Sequence, residues 1–371
     1  MPRRNRRRVH TLIRVDTRTI TDWVGEIRAF MTVRNEILRL PQTLAHYRKI
    51  GVARFFIVDN GSTDGTRELL AAQPDCHVFL TRNSYSEAQY GLAWQHALLD
   101  EYGVDHWCLV VDADEWFIYP GYEDRSLQEL AAHLQQSGAQ GMFAFLLDMY
   151  GRGGVADAIP GPEHSLLDAC RYFDTQYLWD YGFRAMLHFS QRRFPPSKVA
   201  GGPRWRLLFP TLLRHYYILK AIWRISDWFG FPLPAGLRQA PNLRKIPFVH
   251  WLPGIRYPNP HATTAIKLSD VTGVLLHFKF LEDFSARVNI EVIRKEHWQS
   301  AGEYRRYLAK LKHGAGLSFH YDGSVAYEDS QQLVRLGLMQ EDDAWMRMRS
   351  ASSPHRACVS AAPETRSPDI V

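Results

Sequence analysis

One short stretch decides the fold: residues 107–115 read Trp-Cys-Leu-Val-Val-Asp-Ala-Asp-Glu. Its first five residues are apolar, as expected for a strand of a parallel sheet that is covered on both faces. Three of the last four residues are carboxylic acids, so the strand runs from an apolar interior into an acidic turn. We therefore predict a buried strand over residues 107–111 whose carboxyl end carries functional side chains.

The chain before this stretch repeats the pattern of a short apolar run followed by a helical segment. Such alternation predicts βαβ units and a doubly wound α/β fold with a mainly parallel sheet. Ligands of these sheets bind beyond the carboxyl ends of the strands. The predicted strands are 27–33, 54–58 and 77–80, and the predicted helices are 40–50, 66–72 and 87–102.

Three polar clusters follow predicted strands, and the topology brings such positions to one edge of the sheet. Turn formation with helix capping by Asp64 is an equally good explanation of the middle cluster when it is taken alone. The coincidence of all three indicates a ligand site. The clusters are Arg34-Asn35-Glu36, Asp59-Asn60-Gly61-Ser62 with Asp64, and Asp112-Ala113-Asp114-Glu115.

The third cluster favours a metal ion. Like charges so close together are costly unless a cation or hydrogen-bond donors compensate them, and Mg²⁺ and Mn²⁺ prefer oxygen ligands. Asp112 and Asp114 would point to opposite sides of an extended strand, so a turn must begin there for both to face one ligand. An acidic turn that caps nearby donors is the alternative. The sequence lacks GxGxxG after the first strand and GxxxxGK[ST], which leaves metal-bridged diphosphate binding as the best explanation.

Composition narrows the class of protein. The 371 residues are 46% hydrophobic and 23% charged, which excludes collagen, coiled coil and wholesale disorder. The 4 cysteines form no CxxC pair, so a disulfide scaffold is excluded and a reducing, cytoplasmic compartment is expected. The net charge of +6 is compatible with anionic partners without choosing among them.

Four motifs carry a family resemblance, and they read Thr32-Val33-Arg34-Asn35-Glu36, then 47–52, 57–66 and 112–116. In this order they resemble bacterial family 2 glycosyltransferases with the GT-A fold, in particular soluble members whose acidic motif reads DADE. The resemblance is dense over residues 27–120 and thin beyond. It implies a Rossmann-like, mainly parallel sheet flanked by helices, with a C-terminal helical extension.

The resemblance implies a metal-dependent, inverting transferase that moves a sugar from a nucleotide-diphospho sugar, with UDP as the expected nucleotide, to a hydroxyl acceptor. Mn²⁺ or Mg²⁺ would be the cofactor, and the acceptor would be a glycan or a lipid-linked sugar of surface polysaccharide or glycolipid synthesis. Nucleic acid is not an expected partner. Two alternatives stay open: a metal-dependent nucleotide-sugar hydrolase or nucleotidyltransferase, and a non-catalytic nucleotide-binding module.

The same resemblance implies which residues bind the nucleotide. Asp59 would contact the base, and Arg34 and Glu36 would line the nucleoside pocket, with Asn60 beside them.

The metal and the phosphates would be bound by a second group of residues. Asp112 would reach the ribose or the metal, and Asp114 would bind the metal. Residues 273–280 resemble the histidine-bearing strand of the subgroup, so His277 would be a metal or phosphate ligand, with Lys279 beside it. A histidine that is satisfied within the core is the alternative for His277.

The general base has no clear motif. Asp148, at the end of the apolar run 142–147, is the first candidate by position, and Asp180 is the second. Either residue could instead be a helix cap or a partner in an ion pair.

The domain organisation follows from composition and from the resemblance. A solvated N-terminal arm and an electrostatic tether to anionic lipid are both compatible with its arginines. The expected segments are a basic, flexible arm (1–24), a GT-A domain (25–280) with a nucleotide-sugar half (25–120) and an acceptor half (121–280), a helical extension (281–349) and a disordered tail (350–371).

A predicted helix over residues 211–229 carries a basic stripe of Arg214, Lys220 and Arg224 with apolar flanks. This pattern suits a helix at a membrane interface, so peripheral contact with the inner face of the membrane is an open alternative to a purely cytoplasmic location. A helix packed on the protein with its basic stripe in water fits the pattern equally well.

Overall fold

The computed structural model describes residues 11–181, 195–215, 217–218, 221–222, 225, 240–312 and 316–351. Its strands are β1 (Ile13–Arg14), β2 (Ile27–Val33), β3 (Val52–Asp59), β4 (Cys76–Leu80), β5 (Trp107–Val110), β6 (Glu115–Ile118), β7 (Gly141–Asp148), β8 (Tyr172–Phe173), β9 (Tyr177–Asp180), β10 (Lys198–Gly201), β11 (Arg244–His250), β12 (Gly273–His277) and β13 (Val325–Ala326). Its helices are α1 (Leu40–Lys49), α2 (Thr66–Ala71), α3 (Leu92–Tyr102), α4 (Leu127–Gln136), α5 (Leu166–Ala169), α6 (Gly202–Leu208), α7 (Pro210–Arg214), α8 (Phe284–Arg294), α9 (Trp298–Lys312), α10 (Ser330–Arg335) and α11 (Asp343–Ala351).

A nine-stranded sheet forms the centre of the molecule, in the order β1-β4-β3-β2-β5-β11-β7-β12-β6. Strands β2, β3, β4, β5, β7 and β12 run in one direction, whereas β1, β6 and β11 run opposite to them. Helices cover the sheet, and apolar residues from it are buried in two separate clusters. The predicted α/β fold with a mainly parallel sheet is confirmed.

The nucleotide half follows the predicted alternation closely. Strands β2 to β5 occupy the predicted apolar runs, and β2 pairs in parallel with both β3 and β5. Helix α3 starts later than the periodicity predicts. Gln89, Tyr90 and Gly91 all have positive φ angles, a conformation that a right-handed helix does not allow, so α3 begins only at Leu92.

The other half of the sheet departs from simple alternation because β11 is inserted antiparallel between β5 and β7. A register shift in the pairing with β7 between Lys245 and Phe248 contains Pro247, which has no N–H to donate to the ladder. Strand β11 comes from a distant part of the sequence, and it completes the surface beside the acidic turn.

The predicted flexible arm needs a correction for residues 11–24. Strand β1 pairs antiparallel with β4, and the Asp16 carboxylate accepts from the backbone N–H of Val78 at 3.1 Å. Ordered pairing at the edge of the sheet therefore replaces the arm over this stretch, because Asp16 ties it to the sheet. Residues 1–10, and residues 352–371 of the predicted tail, lie outside the described part of the chain.

Arg39 joins the C-terminal helices to the nucleotide half. Its side chain is fully buried and donates two hydrogen bonds of 2.7 Å to the Asp283 carboxylate, next to the start of α8. It also donates to the carbonyl of Phe278, just after β12, at 2.9 Å. The guanidinium thus links α1, β12 and α8 from a position inside the protein.

The predicted helix over 211–229 is described only in part. Helix α7 contains Arg214, and Lys220 and Arg224 lie outside the described residues. None of the described helices combines the length and the apolar character that a membrane-spanning segment requires.

Arg39→Ala is expected to lower the free energy of unfolding by about 3 kcal/mol or more, because it leaves a partly buried carboxylate without its main partner. Urea unfolding measures the change. The control is Arg335→Ala, which removes an exposed guanidinium 3.5 Å from Glu328 and should change stability by about 0.5 kcal/mol or less. Equal effects of the two substitutions would show that the Arg39 contacts do not anchor the C-terminal helices.

Candidate active site

A cavity of about 220 Å³ lies beyond the carboxyl ends of β2, β5 and β12. Predicted site residues from the nucleotide half and from the distant region around β12 line this cavity. The predicted residues that line it are Arg34, Glu36, Asn60, Asp112, Asp114, His277 and Lys279.

The acidic stretch after β5 forms the expected turn. The backbone N–H of Glu115 donates to the carbonyl of Asp112 at 3.1 Å, and the Glu115 carboxylate accepts from the N–H of Asp112 at 3.1 Å. These reciprocal bonds close the turn and let both Asp112 and Asp114 face the cavity. Glu115 is therefore a structural member of the acidic motif.

Lys245 is an unpredicted cation beside this turn. Its ammonium lies 2.9 Å from Glu115 and 3.3 Å from Asp112. Burial raises the pKa of Glu115 to about 7, with a further rise from the neighbouring aspartates and an opposing effect of Lys245. Local sequence reasoning missed Lys245 because β11 brings it to the turn from far along the chain.

His277 connects the acidic turn to a buried carboxylate. Its Nε2 lies 3.4 Å from an oxygen of Asp114, and its Nδ1 lies 2.6 Å from an oxygen of Asp148. The other oxygen of Asp148 accepts from Arg204 at 2.7 Å. The result is a continuous chain of alternating charges, Asp114–His277–Asp148–Arg204, that leads from the cavity into the core.

Strand register produces this arrangement. In the parallel pairing of β12 with β7, His277 is the partner of Asp148, and in the antiparallel pairing with β6 it is the partner of Glu115. Three separate segments of sequence therefore place their polar residues side by side at the same level of the sheet.

The charges around His277 control its protonation. Burial by itself lowers the pKa of the imidazole, but the carboxylates of Asp114 and Asp148 outweigh burial and raise the pKa to about 9. Burial would raise the pKa of Asp148, yet Arg204 and His277 lower it to about 2. The imidazole is consequently a cation at neutral pH when nothing else occupies its Nε2.

The two predicted general bases do not reach the cavity. Asp148 is fully buried, and both of its oxygens are bonded to His277 and Arg204. Asp180 ends β9 and is 5% exposed, and it is not among the residues that line the cavity. The structure therefore brings His277 to the predicted site and leaves both Asp148 and Asp180 outside its surface.

The predicted nucleoside residues differ in how they are held. Asp59 is fully buried and accepts from the N–H of Ser62 at 2.8 Å and from Arg67 at 3.0 Å. Arg34 donates to the carbonyl of Asn60 at 2.7 Å, which holds the first two polar clusters together. Asp59 lies beneath the cavity surface, whereas Arg34 and Asn60 line it.

The C-terminal helices supply a side of the cavity that the motifs did not predict. Arg287, Glu291 and Arg294 lie on α8 at spacings of four and three residues, so they share one face of the helix. Arg287 makes a bidentate ion pair with Glu36 at 2.8 and 3.0 Å. The helical spacing of these charges was visible in the sequence, but such spacing is equally typical of a solvated helix face.

Asp114, in the turn between β5 and β6, and His277, at the end of β12, fit a divalent metal as two ligands. A carboxylate oxygen and an imidazole nitrogen face the cavity 3.4 Å apart, and Asp148 orients the imidazole through its other nitrogen, as carboxylates do for metal-binding histidines. Asp112 lies in the same cavity but contacts Lys245. Within the described residues, no group of three or more His, Cys, Asp or Glu side chains is arranged to hold a metal ion.

The part of the chain that carries the acidic turn is similar to a known protein family. Residues 29–151 match the family model described as Glycosyl transferase family 2. The matched segment contains all three polar clusters, whereas His277, Lys279 and α8 lie beyond it. The predicted resemblance to family 2 glycosyltransferases is thereby confirmed for this segment.

No curated protein matches the chain significantly. Among solved structures, the chain is similar to one described as "Crystal structure of 4-diphosphocytidyl-2C-methyl-D-erythritol synthase", with 16% identity and a TM-score of 0.24. That similarity covers 34% of this chain and 63% of the other, and it carries no argument about function.

In EDTA, we expect the His277 imidazole to titrate near pH 9, and not near the ordinary 6.5, in an NMR pH titration. His277→Gln identifies the resonance. The raised pKa means that the folded state holds this proton more tightly than the unfolded state. The protonated imidazole therefore stabilises the folded state fully below pH 6.5, and this stabilisation is lost as the pH rises through 9.

Asp148→Asn provides the control for this titration, because it removes one of the two carboxylates that raise the pKa of His277. We expect the imidazole of this variant to titrate at a lower pH than in the unaltered protein. An unchanged midpoint in Asp148→Asn, or a wild-type midpoint near 6.5, would contradict the charge chain.

Proposed function

We propose that this protein is a metal-dependent, inverting glycosyltransferase that uses a nucleotide-diphospho sugar, with UDP as the nucleotide. The observation that carries the proposal is the convergence of Asp114 and His277 in one cavity with Arg34, Glu36 and Asn60 from the first two polar clusters. The match of residues 29–151 to the family model supports the reaction class. The acceptor would be a hydroxyl of a glycan or a lipid-linked sugar in surface polysaccharide or glycolipid synthesis.

The donor would lie with its nucleoside towards the first two clusters and its diphosphate towards the acidic turn. Arg34 and Asn60 line the cavity, and Asp59 lies behind them. We assign Asp59 to the support of the Ser62 turn and of Arg67, because its two oxygens already accept hydrogen bonds from them. Its expected contact with the base would come in addition to these bonds.

Asp114 and His277, with Asp112 from the same turn, would hold a divalent cation, and Mn²⁺ or Mg²⁺ suits the carboxylate ligands. The cation would neutralise negative charge that develops on the departing diphosphate. Members of the matched family commonly use a divalent metal. Asp112 would exchange its contact with Lys245 for this role, since its side chain is 47% exposed and lies at the edge of the cavity.

During transfer, the acceptor hydroxyl attacks the anomeric carbon as the bond to the diphosphate breaks, and the hydroxyl proton passes to a base. We assign Asp148 to positioning His277 and not to proton abstraction, since it is buried and fully bonded. Lys279 is held by Glu303 at 2.9 Å and adds positive charge to the phosphate side of the cavity.

Isothermal titration with UDP tests this proposal. We expect UDP to bind more tightly with Mn²⁺ than with EDTA, and we expect Asp114→Asn to remove this difference, because the amide supplies no negative charge to the cation. Asp124→Asn alters an exposed acidic residue in the turn before α4 and should keep the difference. Equal affinity of the unaltered protein in Mn²⁺ and EDTA would refute the metal-bridged donor site.

We also propose peripheral contact with an anionic membrane through the N-terminal arginines and the segment 211–229. The described residues of this segment support the proposal, because Tyr217 is 80% exposed and Ile218 is 63% exposed. Exposed apolar side chains beside basic ones are typical of helices that lie in a membrane interface.

Vesicle flotation tests the membrane proposal. We expect the protein to float with anionic vesicles at low salt and to lose this binding at high salt, because the attraction to lipid headgroups is screened. Replacing Arg214, Lys220 and Arg224 together with Gln should weaken flotation, whereas vesicles of neutral lipid should bind little in every case. Absence of flotation on anionic vesicles at low salt would remove the proposal.

A further inference from the structure

The cationic side chains of the cavity are not equally neutralised. Lys279 pairs with Glu303 at 2.9 Å, Arg287 pairs with Glu36 at 2.8 Å, and Arg294 pairs with Glu291 at 2.5 Å. Arg34 differs from them. Within the described part of the chain, the Arg34 guanidinium has no carboxylate ion pair and donates to the carbonyl of Asn60.

Arg34 faces a second positive charge across the cavity. Both Arg34 and Arg294 line it, and the Arg294 side chain is 20% exposed. Burial lowers the pKa of the Arg34 guanidinium, and the nearby charge of Arg294 lowers it further. Glu291 offsets part of this repulsion through its pair with Arg294. An anion bound between the two guanidinium groups would be attracted by both of them.

Helix α8 is fixed over the nucleotide half along most of its length. At its start, Asp283 accepts from the buried Arg39, and one turn later Arg287 binds Glu36. Both partners belong to the segment that matches the glycosyltransferase family. The position of the α8 face is therefore set by the donor half and not only by the other C-terminal helices.

A third contact fixes the other end of α8. Glu296, two residues beyond Arg294, accepts from the hydroxyl of Ser84 and from the N–H of Ser86, both at 2.8 Å. The loop that contains these serines carries Tyr85, which lines the same cavity. The backbone at Arg294 thus lies between two anchored points, so little backbone entropy remains to be lost when the side chain binds a ligand.

We propose that Arg34 and Arg294 form a two-arginine site for the diphosphate of the nucleotide-sugar donor, completed by a helix outside the family-matched segment. The inference rests on the proposed function and names the residues that bind the leaving group. Guanidinium groups present paired N–H donors that match phosphate oxygens, and their contacts strengthen as negative charge grows on the leaving diphosphate. Glu291 keeps His297 as a partner at 3.1 Å when Arg294 turns to a phosphate.

Binding of UDP and UMP by isothermal titration tests the two-arginine site. We expect Arg294→Gln to weaken UDP binding by about 10- to 100-fold, the size of a lost hydrogen bond between charged groups. The loss should persist in EDTA, because the guanidinium contacts the phosphates directly. UMP, which lacks the second phosphate, should lose less affinity than UDP.

The matched control is Lys310→Gln, which removes an equal charge from an exposed position on α9 and should leave UDP binding unchanged. Arg294→Lys keeps the charge without the paired donors and should bind UDP with intermediate affinity. Arg34→Gln should weaken UDP more than UMP. Equal losses for UDP and UMP in Arg34→Gln would assign Arg34 to the nucleoside and overturn the pair.

The outcomes separate this inference from the proposed function. Tight binding of UDP to the unaltered protein, with the same affinity in Arg294→Gln and Arg294→Lys, would overturn the two-arginine site and leave the glycosyltransferase proposal intact. Failure of the unaltered protein to bind UDP, with or without Mn²⁺, would overturn both. Equal binding of inorganic pyrophosphate and UDP, lost together in Arg294→Gln, would identify a general diphosphate site and overturn the assignment to the donor.

Discussion

The arrangement of charged groups behind the candidate active site depends on one buried carboxylate. Asp148 ends the almost wholly apolar strand β7, and its side chain has no exposed surface. An unpaired charge at this position would lower the free energy of unfolding by several kcal/mol, which is on the order of the whole stability of a domain. Arg204 and His277 compensate it from two sides. Because His277 also contacts Asp114, the requirement to satisfy a core charge fixes the orientation of a group that faces the cavity.

A second buried charge joins the nucleotide half to the C-terminal helices. Arg39 is fully buried at the start of α1 and holds both the residue after β12 and the start of α8. Its contacts place the C-terminal helices beside the cavity, where α8 contributes charged side chains. The segment that matches the glycosyltransferase family therefore does not build the cavity alone, and the region that follows it in sequence closes one side.

Much of the nucleotide half could be predicted from periodicity, because its βαβ units are formed by neighbouring residues. Strands β2 to β5 and helices α1 and α2 lie at the predicted places. The start of α3 could not be predicted, since three consecutive left-handed residues depend on how the loop packs against Thr32 and Tyr85. The order at residues 11–24 could not be predicted either, because an edge strand and Asp16 stabilise a stretch that looks polar in sequence.

The sequence by itself determined the α/β class, the three polar clusters at the strand ends and the turn that brings Asp112 and Asp114 to one surface, because these depend on residues close together in the chain. Only the tertiary structure decided that His277 lies between Asp114 and Asp148, that Lys245 compensates the acidic turn, and that Asp148 lies behind the cavity and not in it. Those outcomes depend on the pairing of β12 with β7 and on the insertion of β11. Register between strands far apart in sequence is set by the packing of the whole sheet, which no local pattern encodes.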